Sequence, residues 1–392
     1  MKALMVCPEF PPNSIGGGGE VFRALALSLP ECGVELDVVC ANYCGGCAER
    51  SEGGVRVREI PLIRTPAGMP YLRTTLPPTP AGAARLRAAI ENGGYEVAHL
   101  HGISFATVDL AARILHRLRV PWVFTLHGSP RTPYALGPAV RAGYAAYMLA
   151  YGRFAMRAAS LRTAVSDAAR RFAPIARYMA DSRVVANGIN VDEYAHDRPE
   201  RELLGWPHHL ARVMLSIGRI EPEKGFDTAV RALAAMSDRG TAYVILGEDW
   251  GMLARLRRLA QGLGVAGRVF ALGYADVEQK RFALRRSDLV WIPSRNEAFG
   301  LVALEAMASG VPVVASASGG LGEILRDGLE DLLVDPGDAD ALARTSEALL
   351  NEPERLHPLK TRLREHASRY DWGGIARTYA QCYRLVVSSK AY

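Results

Sequence analysis

Arg212-Val213-Met214-Leu215-Ser216-Ile217-Gly218-Arg219-Ile220-Glu221-Pro222-Glu223-Lys224-Gly225-Phe226 is the stretch whose reading decides the fold of this chain. Six mostly apolar residues form a short buried strand. A glycine- and proline-bearing charged turn follows, and a helical pattern opens near Phe226. A strand, a loop and a helix in that order make one unit of a parallel α/β sheet. Working outward, the same alternation recurs along the whole chain. Strands are expected near 2–7, 34–40, 55–60, 96–100, 120–126, 161–165 and 183–186. A second series falls near 212–217, 242–247, 268–272, 288–292, 312–315 and 331–334. Two such series imply two Rossmann-like, doubly wound α/β domains. The join falls at Ala186-Asn187-Gly188-Ile189-Asn190, where Asn-Gly is a turn signal, followed by a polar stretch up to Pro207.

Composition narrows the class. The chain has 392 residues, 49% hydrophobic and 22% charged, which suits globular domains and excludes a disordered chain. No run of about 20 apolar residues is free of charge, so no transmembrane helix is expected. Met1 to Cys7 runs straight into Pro8 and Glu9, which fits a buried strand rather than a signal peptide and points to a cytoplasmic protein. Six cysteines in so long a chain make no disulfide framework. Cys40, Cys44 and Cys47 have the spacing of radical iron–sulfur ligands, so a redox enzyme is an alternative, although the remaining sequence supplies a different chemistry. The net charge is +6, and residues 121–190 hold nine arginines against Asp167 and Asp181, which is +7 in one segment. Such a segment implies an anionic partner: a phospholipid surface, a lipid diphosphate or a nucleic acid.

Two strings carry the chemistry. Gly218 to Gly225 lies at the carboxyl end of a strand, where α/β folds bind ligands, and Arg219 and Lys224 place two cations there to neutralise a departing diphosphate. Pro293-Ser294-Arg295-Asn296-Glu297-Ala298-Phe299-Gly300-Leu301-Val302-Ala303-Leu304-Glu305 ends another strand and opens a helix near Gly300. The free N–H groups and positive dipole end of that helix suit phosphate. Glu297 and Glu305 can accept hydrogen bonds from sugar and ribose hydroxyls.

The pair of strings resembles the retaining nucleotide-sugar glycosyltransferases of GT-B fold (glycosyltransferase family 4, glycosyl transferases group 1), which show G-R-x4-K-G followed by E-x-F-G-x4-E. Further matches are Pro11-Pro12 with the Gly16 to Glu20 loop, Thr125-Leu126-His127-Gly128, Asn187-Gly188-Ile189-Asn190, and Ser318-Gly319-Gly320 with Glu323. The resemblance implies two domains facing across a cleft, 1–187 on the acceptor side and 188–370 holding the donor, with a final helix within 371–392 packing back on the first. It implies that Arg219 and Lys224 contact the donor phosphates, that Glu305 binds the ribose and Glu297 the transferred sugar, and that His127 lines the reaction centre. The donor-binding set is Gly16, Gly17, Gly218, Phe299, Gly300, Leu301, Glu305 and Tyr274, the base resting by Gly273-Tyr274. Four glycines stand in the front loop where the family has two, so which amides meet the donor stays open.

The implied reaction passes a sugar from a nucleoside-diphosphate sugar, uridine preferred over guanosine, to an acceptor hydroxyl with retention. No cofactor and no metal are expected. No carboxylate stands out as a nucleophile, which fits a front-face mechanism. The expected partners are the donor and a glycan, lipid-linked or small-molecule acceptor, with peripheral contact to an anionic membrane and no nucleic acid. A catalytically dead sugar-nucleotide sensor is the other alternative. Asp338-Ala339-Asp340 has a metal-binding D-x-D form but reads as a helix cap and first-turn acid. His101, at a strand end, is a candidate acceptor-side contact. Residues 142–157, with aromatics among arginines, are expected to form one interfacial helix.

Overall fold

The computed structural model describes residues 1–14, 17–43, 46, 48–64, 76–128, 138–172, 175–194 and 198–389. The chain divides into one compact unit formed by Met1–Gly188 with Trp372–Tyr392 and a second formed by Ile189–Asp371.

The strands of the first unit are β1 (Lys2–Cys7), β2 (Glu35–Asn42), β3 (Glu49–Glu52), β4 (Val55–Pro61), β5 (Val97–His101), β6 (Trp122–Leu126), β7 (Leu161–Ala164) and β8 (Arg183–Val184). They pair in the order β3-β4-β2-β1-β5-β6-β7-β8. Every pairing is parallel except β3 with β4. β1, β5 and β6 are buried almost throughout, the continuous apolar reading of strands covered on both faces. β3 (Glu-Arg-Ser-Glu) has no counterpart among the expected strands. It is short, charged and half-exposed, the composition that keeps a sheet edge from pairing with another chain, so it carries no apolar signal.

The second unit contains β9 (Arg212–Ile217), β10 (Thr241–Leu246), β11 (Val269–Gly273), β12 (Leu289–Ile292), β13 (Val313–Ser316) and β14 (Leu333–Val334). Their order is β11-β10-β9-β12-β13-β14, parallel throughout. That is the doubly wound Rossmann order, in which the winding reverses between β9 and β12 and opens a crevice at their carboxyl ends. The first unit reverses in the same way between β1 and β5. Under the second sheet, Trp291 donates its indole N–H to Ser346 Oγ at 2.8 Å. Tyr243 donates to Ser216 Oγ at 3.0 Å, and Ser216 donates to the Trp291 carbonyl at 2.7 Å. The polar atoms of this aromatic core are thereby satisfied.

Two expectations are corrected. Gly17 to Gly19 do not lie in an open loop but in the first turn of the helix Gly17–Ser28. The preceding loop folds over that turn so closely that a Cβ on Gly19 would lie 2.4 Å from Ser14 Cβ. Residues 142–157 are not one helix. The helix Pro138–Ala150 stops, and a short helix Phe154–Arg157 follows after a turn. Part of the apolar set faces inward: Met148, Ala155 and Met156 are buried, and Tyr147 donates to the Asp109 carboxylate. Asp338 caps the helix Ala339–Asn351 by accepting from Ala341 N at 2.8 Å. Among the described residues, no group of three or more His, Cys, Asp or Glu could hold a metal ion. No described helix is long and apolar enough to cross a membrane.

Candidate active site

The reversal between β9 and β12 brings the two charged strings together. The loop after β9 carries Arg219 and Lys224, and the loop after β12 carries Glu297. Lys224 Nζ sits 2.7 Å from Glu297 Oε2, an ion pair between residues 73 apart in sequence. Arg295 staples the same loops: its N–H donates to the Glu223 carbonyl at 2.8 Å and its guanidinium to the Pro222 carbonyl and Asp227. Arg219 Nη2 lies 3.0 Å from Glu221 Oε1.

Gly300 precedes the helix Leu301–Ala308 with φ +113°, a left-handed conformation in which a side chain would be strained. Below it runs Ser318-Gly319-Gly320. Gly320 N donates to the Glu297 carbonyl at 2.9 Å, and a Cβ on Gly319, at φ +54°, would lie 1.9 Å from that oxygen. The third glycine motif thus holds the Glu297 loop from beneath. Phe299 is buried and packs edge-on against Tyr370, so it seats this loop in the core. Tyr274 is 70% exposed just past β11, and Gly218 follows β9 directly.

Glu305 lies in the helix Leu301–Ala308 and meets Lys280 Nζ at 2.6 Å. Lys280, on the helix Val277–Arg285, also lies over the ring of the buried Tyr194, its Nζ 5.7 Å from the centroid. Burial opposes its charge, but Glu305 and Tyr194 outweigh burial and raise the lysine pKa. Sequence reasoning missed Lys280 and Tyr194. A lysine in an amphipathic helix carries no local sign that its partner stands 25 residues ahead.

The first unit places His101 at the end of β5 and His127 just after β6. His101 Nδ1 and His127 Nε2 are hydrogen-bonded at 2.8 Å, and Phe22 lies 5.0 Å from both rings. His99 lies against His101 with ring centroids 3.8 Å apart and the rings tilted by 39°. It is bonded to Tyr383 at 2.7 Å and to Thr125 at 2.6 Å. Tyr383 belongs to the helix Trp372–Ser388, so the end of the chain completes this cluster. Burial pushes all three histidines down, His127 to about 3 despite a hydrogen bond to the Asn187 side chain that raises it. They are neutral hydrogen-bonding groups here, not cations. Gly16 lies outside the described residues, as do Cys44 and Cys47; Cys40 is buried at the end of β2.

Residues 15–193 match Glycosyltransferase Family 4, and residues 208–368 match Glycosyl transferases group 1. The D-inositol 3-phosphate glycosyltransferase of Mycolicibacterium smegmatis is 33% identical over 398 residues, spanning 96% of this chain and 88% of the relative. This chain belongs to the group 1 glycosyltransferases. An uncharacterised glycosyltransferase of Methanocaldococcus jannaschii is 26% identical over 99% of both chains. The transferase also shares its fold with sucrose-phosphate synthase from Thermosynechococcus elongatus at TM-score 0.75 and 22% identity, over 99% of each chain. Anabaena HepE in complex with UDP and glucose gives TM-score 0.71 at 19% identity, over 97% of this chain and 99% of that one. Two sheets of Rossmann order in a chain of this family make the GT-B fold.

Proposed function

We propose that this glycosyltransferase moves a sugar from a nucleoside-diphosphate sugar, uridine diphosphate preferred, to an acceptor hydroxyl with retention of configuration and without a metal. The observation that carries the reading is the Lys224–Glu297 pair at the β9/β12 reversal, with Arg219 on the same loop. Cations at the carboxyl end of the sheet can take the charge of the leaving diphosphate, and a carboxylate beside them can hold sugar hydroxyls. Glu305, oriented by Lys280, is assigned to the ribose and Tyr274 to the face of the base. The second unit is read as the donor half and the first as the acceptor half, where the neutral His127 serves as a hydrogen-bonding group near the transferred sugar. UDP is favoured because HepE has been solved with UDP. Inositol phosphate is the first acceptor to try, because several relatives are named for it.

Calorimetric titration with UDP tests the assignment. Glu305→Ala should weaken UDP binding, while Glu297→Ala should leave it nearly unchanged and instead impair turnover of the UDP-sugar. Equal losses in both variants would refute the division of labour. NMR of the product formed from an α-linked donor reads the anomeric outcome, and a β-linked product would refute retention.

The basic segment of the first unit supports a further reading, peripheral contact with anionic lipid. Leu149 is 74% exposed, and the guanidinium groups of Arg153, Arg157 and Arg177 lie within 6 Å of the Tyr178 ring. An exposed leucine and an arginine-ringed tyrosine in one basic segment are residue types that suit an interfacial surface. Co-sedimentation with phosphatidylglycerol vesicles should rise with anionic content and fall with salt. Protein left in the supernatant at low salt would favour a soluble acceptor.

A further inference from the structure

The loop that follows β10 runs alongside the loop that carries Arg219. Ile220 N donates to the Glu248 carbonyl at 2.8 Å, and Trp250 N donates to the Ile220 carbonyl at 3.1 Å. Asp249 Oδ1 accepts from the N–H groups of Gly251, Met252 and Leu253 at 2.9, 3.0 and 3.0 Å. Trp250 is therefore pinned from both sides, by the Arg219 loop through its own N–H and by the turn that Asp249 holds after it. Its ring covers Arg219: the guanidinium carbon lies 4.5 Å from the ring centroid. Glu221 holds the edge of the same guanidinium.

The indole N–H gives the second observation. Trp250 Nε1 is buried and has no hydrogen-bond partner among the described residues. A buried indole ordinarily finds a partner for its N–H, as Trp122 does with the Ala155 carbonyl at 2.8 Å and Trp291 does with Ser346. Trp250 forgoes that bond and presents its face to a cation.

We propose that Trp250 is a positioning residue of the transferase, holding the Arg219 guanidinium over its ring at the end of β9 in the orientation that meets the donor diphosphate. The proposal rests on the contact of Arg219 with that diphosphate. An arginine side chain has large rotational freedom, and a guanidinium held over an aromatic ring has surrendered much of it before the ligand arrives. Trp250 thus raises affinity without touching the donor.

The test compares side chains that fill the space with and without an aromatic face. UDP affinity is measured by calorimetry for wild type, Trp250→Phe, Trp250→Leu, Arg219→Ala and the double variant Trp250→Leu/Arg219→Ala, with melting temperatures as a check on folding. Trp250→Leu should raise the UDP Kd about tenfold, and Trp250→Phe should keep most of the affinity. In the Arg219→Ala background, Trp250→Leu should add nothing, because its effect passes through the guanidinium. Equal affinity in Trp250→Leu and wild type, or the same loss in both backgrounds, would overturn the positioning role. Unchanged UDP affinity in Arg219→Ala would instead overturn the diphosphate contact on which the role depends. Intrinsic fluorescence supplies a reading independent of affinity. UDP should alter wild-type emission and leave that of Trp250→Phe unaltered. An equal response in Trp250→Phe would mean that the stack is not part of the binding event.

Discussion

Lys224 illustrates how much one charge at a strand end is asked to do. Its carbon chain lies against the loop and its Nζ is tied to Glu297, so Lys224→Ala removes a cation without opening a core. An electrostatic group aimed at developing charge is worth about 2.7–4 kcal/mol, or about 10²–10³ in rate. Steady-state kinetics of Lys224→Ala should show kcat/KM reduced by that factor with a melting temperature near wild type. A loss of only a few-fold would remove Lys224 from the chemistry. The histidine cluster makes a second prediction, about pH. His99, His101 and His127 have folded pKa values below the unfolded value near 6.5. Their stabilising contribution is complete above pH 6.5 and is lost as pH falls toward the folded values, by up to about 1.4 kcal/mol per pH unit for each group. Burial raises Asp109 to about 7, which acts in the opposite sense by favouring the fold as pH falls through that range. Three groups against one predict a melting temperature that declines between pH 6.5 and pH 4. A flat profile would mean that the histidines are not held neutral. Arg219, Lys224, Glu297 and Glu305 stood in contiguous motifs and could be picked out by type and spacing. Lys280, Tyr194 and Trp250 could not, because their partners are distant in the chain and only the fold brings them together.

Whole strands were easier to read than element ends. β1 and β9 are short apolar runs flanked by turn residues, and the structure places both at 2–7 and 212–217, as the pattern implies. Buried parallel strands leave that trace because both faces must be apolar. β3 left none, because an edge strand is kept charged, whereas the break between Ala150 and Phe154 falls at Gly152, whose N–H donates to the Tyr147 carbonyl at 3.0 Å as the helix ends. At this scale the Ser318-Gly319-Gly320 turn matters most, since it supports the Glu297 loop. Gly319→Ala would meet two penalties. The left-handed conformation costs at least about 1 to 2 kcal/mol for a residue with a Cβ, and the added carbon collides with the Glu297 carbonyl. The variant should melt at a lower temperature and also turn over donor more slowly, because the loop must move. Thermal unfolding with unchanged kcat/KM would show that the turn serves stability alone.

For the whole molecule, the proposed metal-independent transfer predicts how the enzyme responds to a chelator. The D-x-D string is occupied as a helix cap, and Arg219 with Lys224 supplies positive charge at the strand ends. Turnover of a UDP-sugar should therefore survive excess EDTA. Complete loss, restored by Mn²⁺ or Mg²⁺, would replace the cationic-loop account with a metal-assisted one.

The path of the chain has a consequence for how the protein is made. The second unit begins at Ile189 and ends at Asp371, and these two residues are bridged, with Ile189 N donating to the Tyr370 carbonyl at 2.8 Å. Entry and exit lie side by side, so the second unit is an insertion within the first. On the ribosome, all of the second unit emerges before Tyr379 and Tyr383 do. Until they do, His99 lacks the tyrosine hydroxyl that completes it, whereas the second unit already has all of its strands. A released chain truncated after residue 371 should therefore resist protease across 189–371 and be more susceptible across 1–188, which lacks its closing helix; equal protection of both parts would refute this.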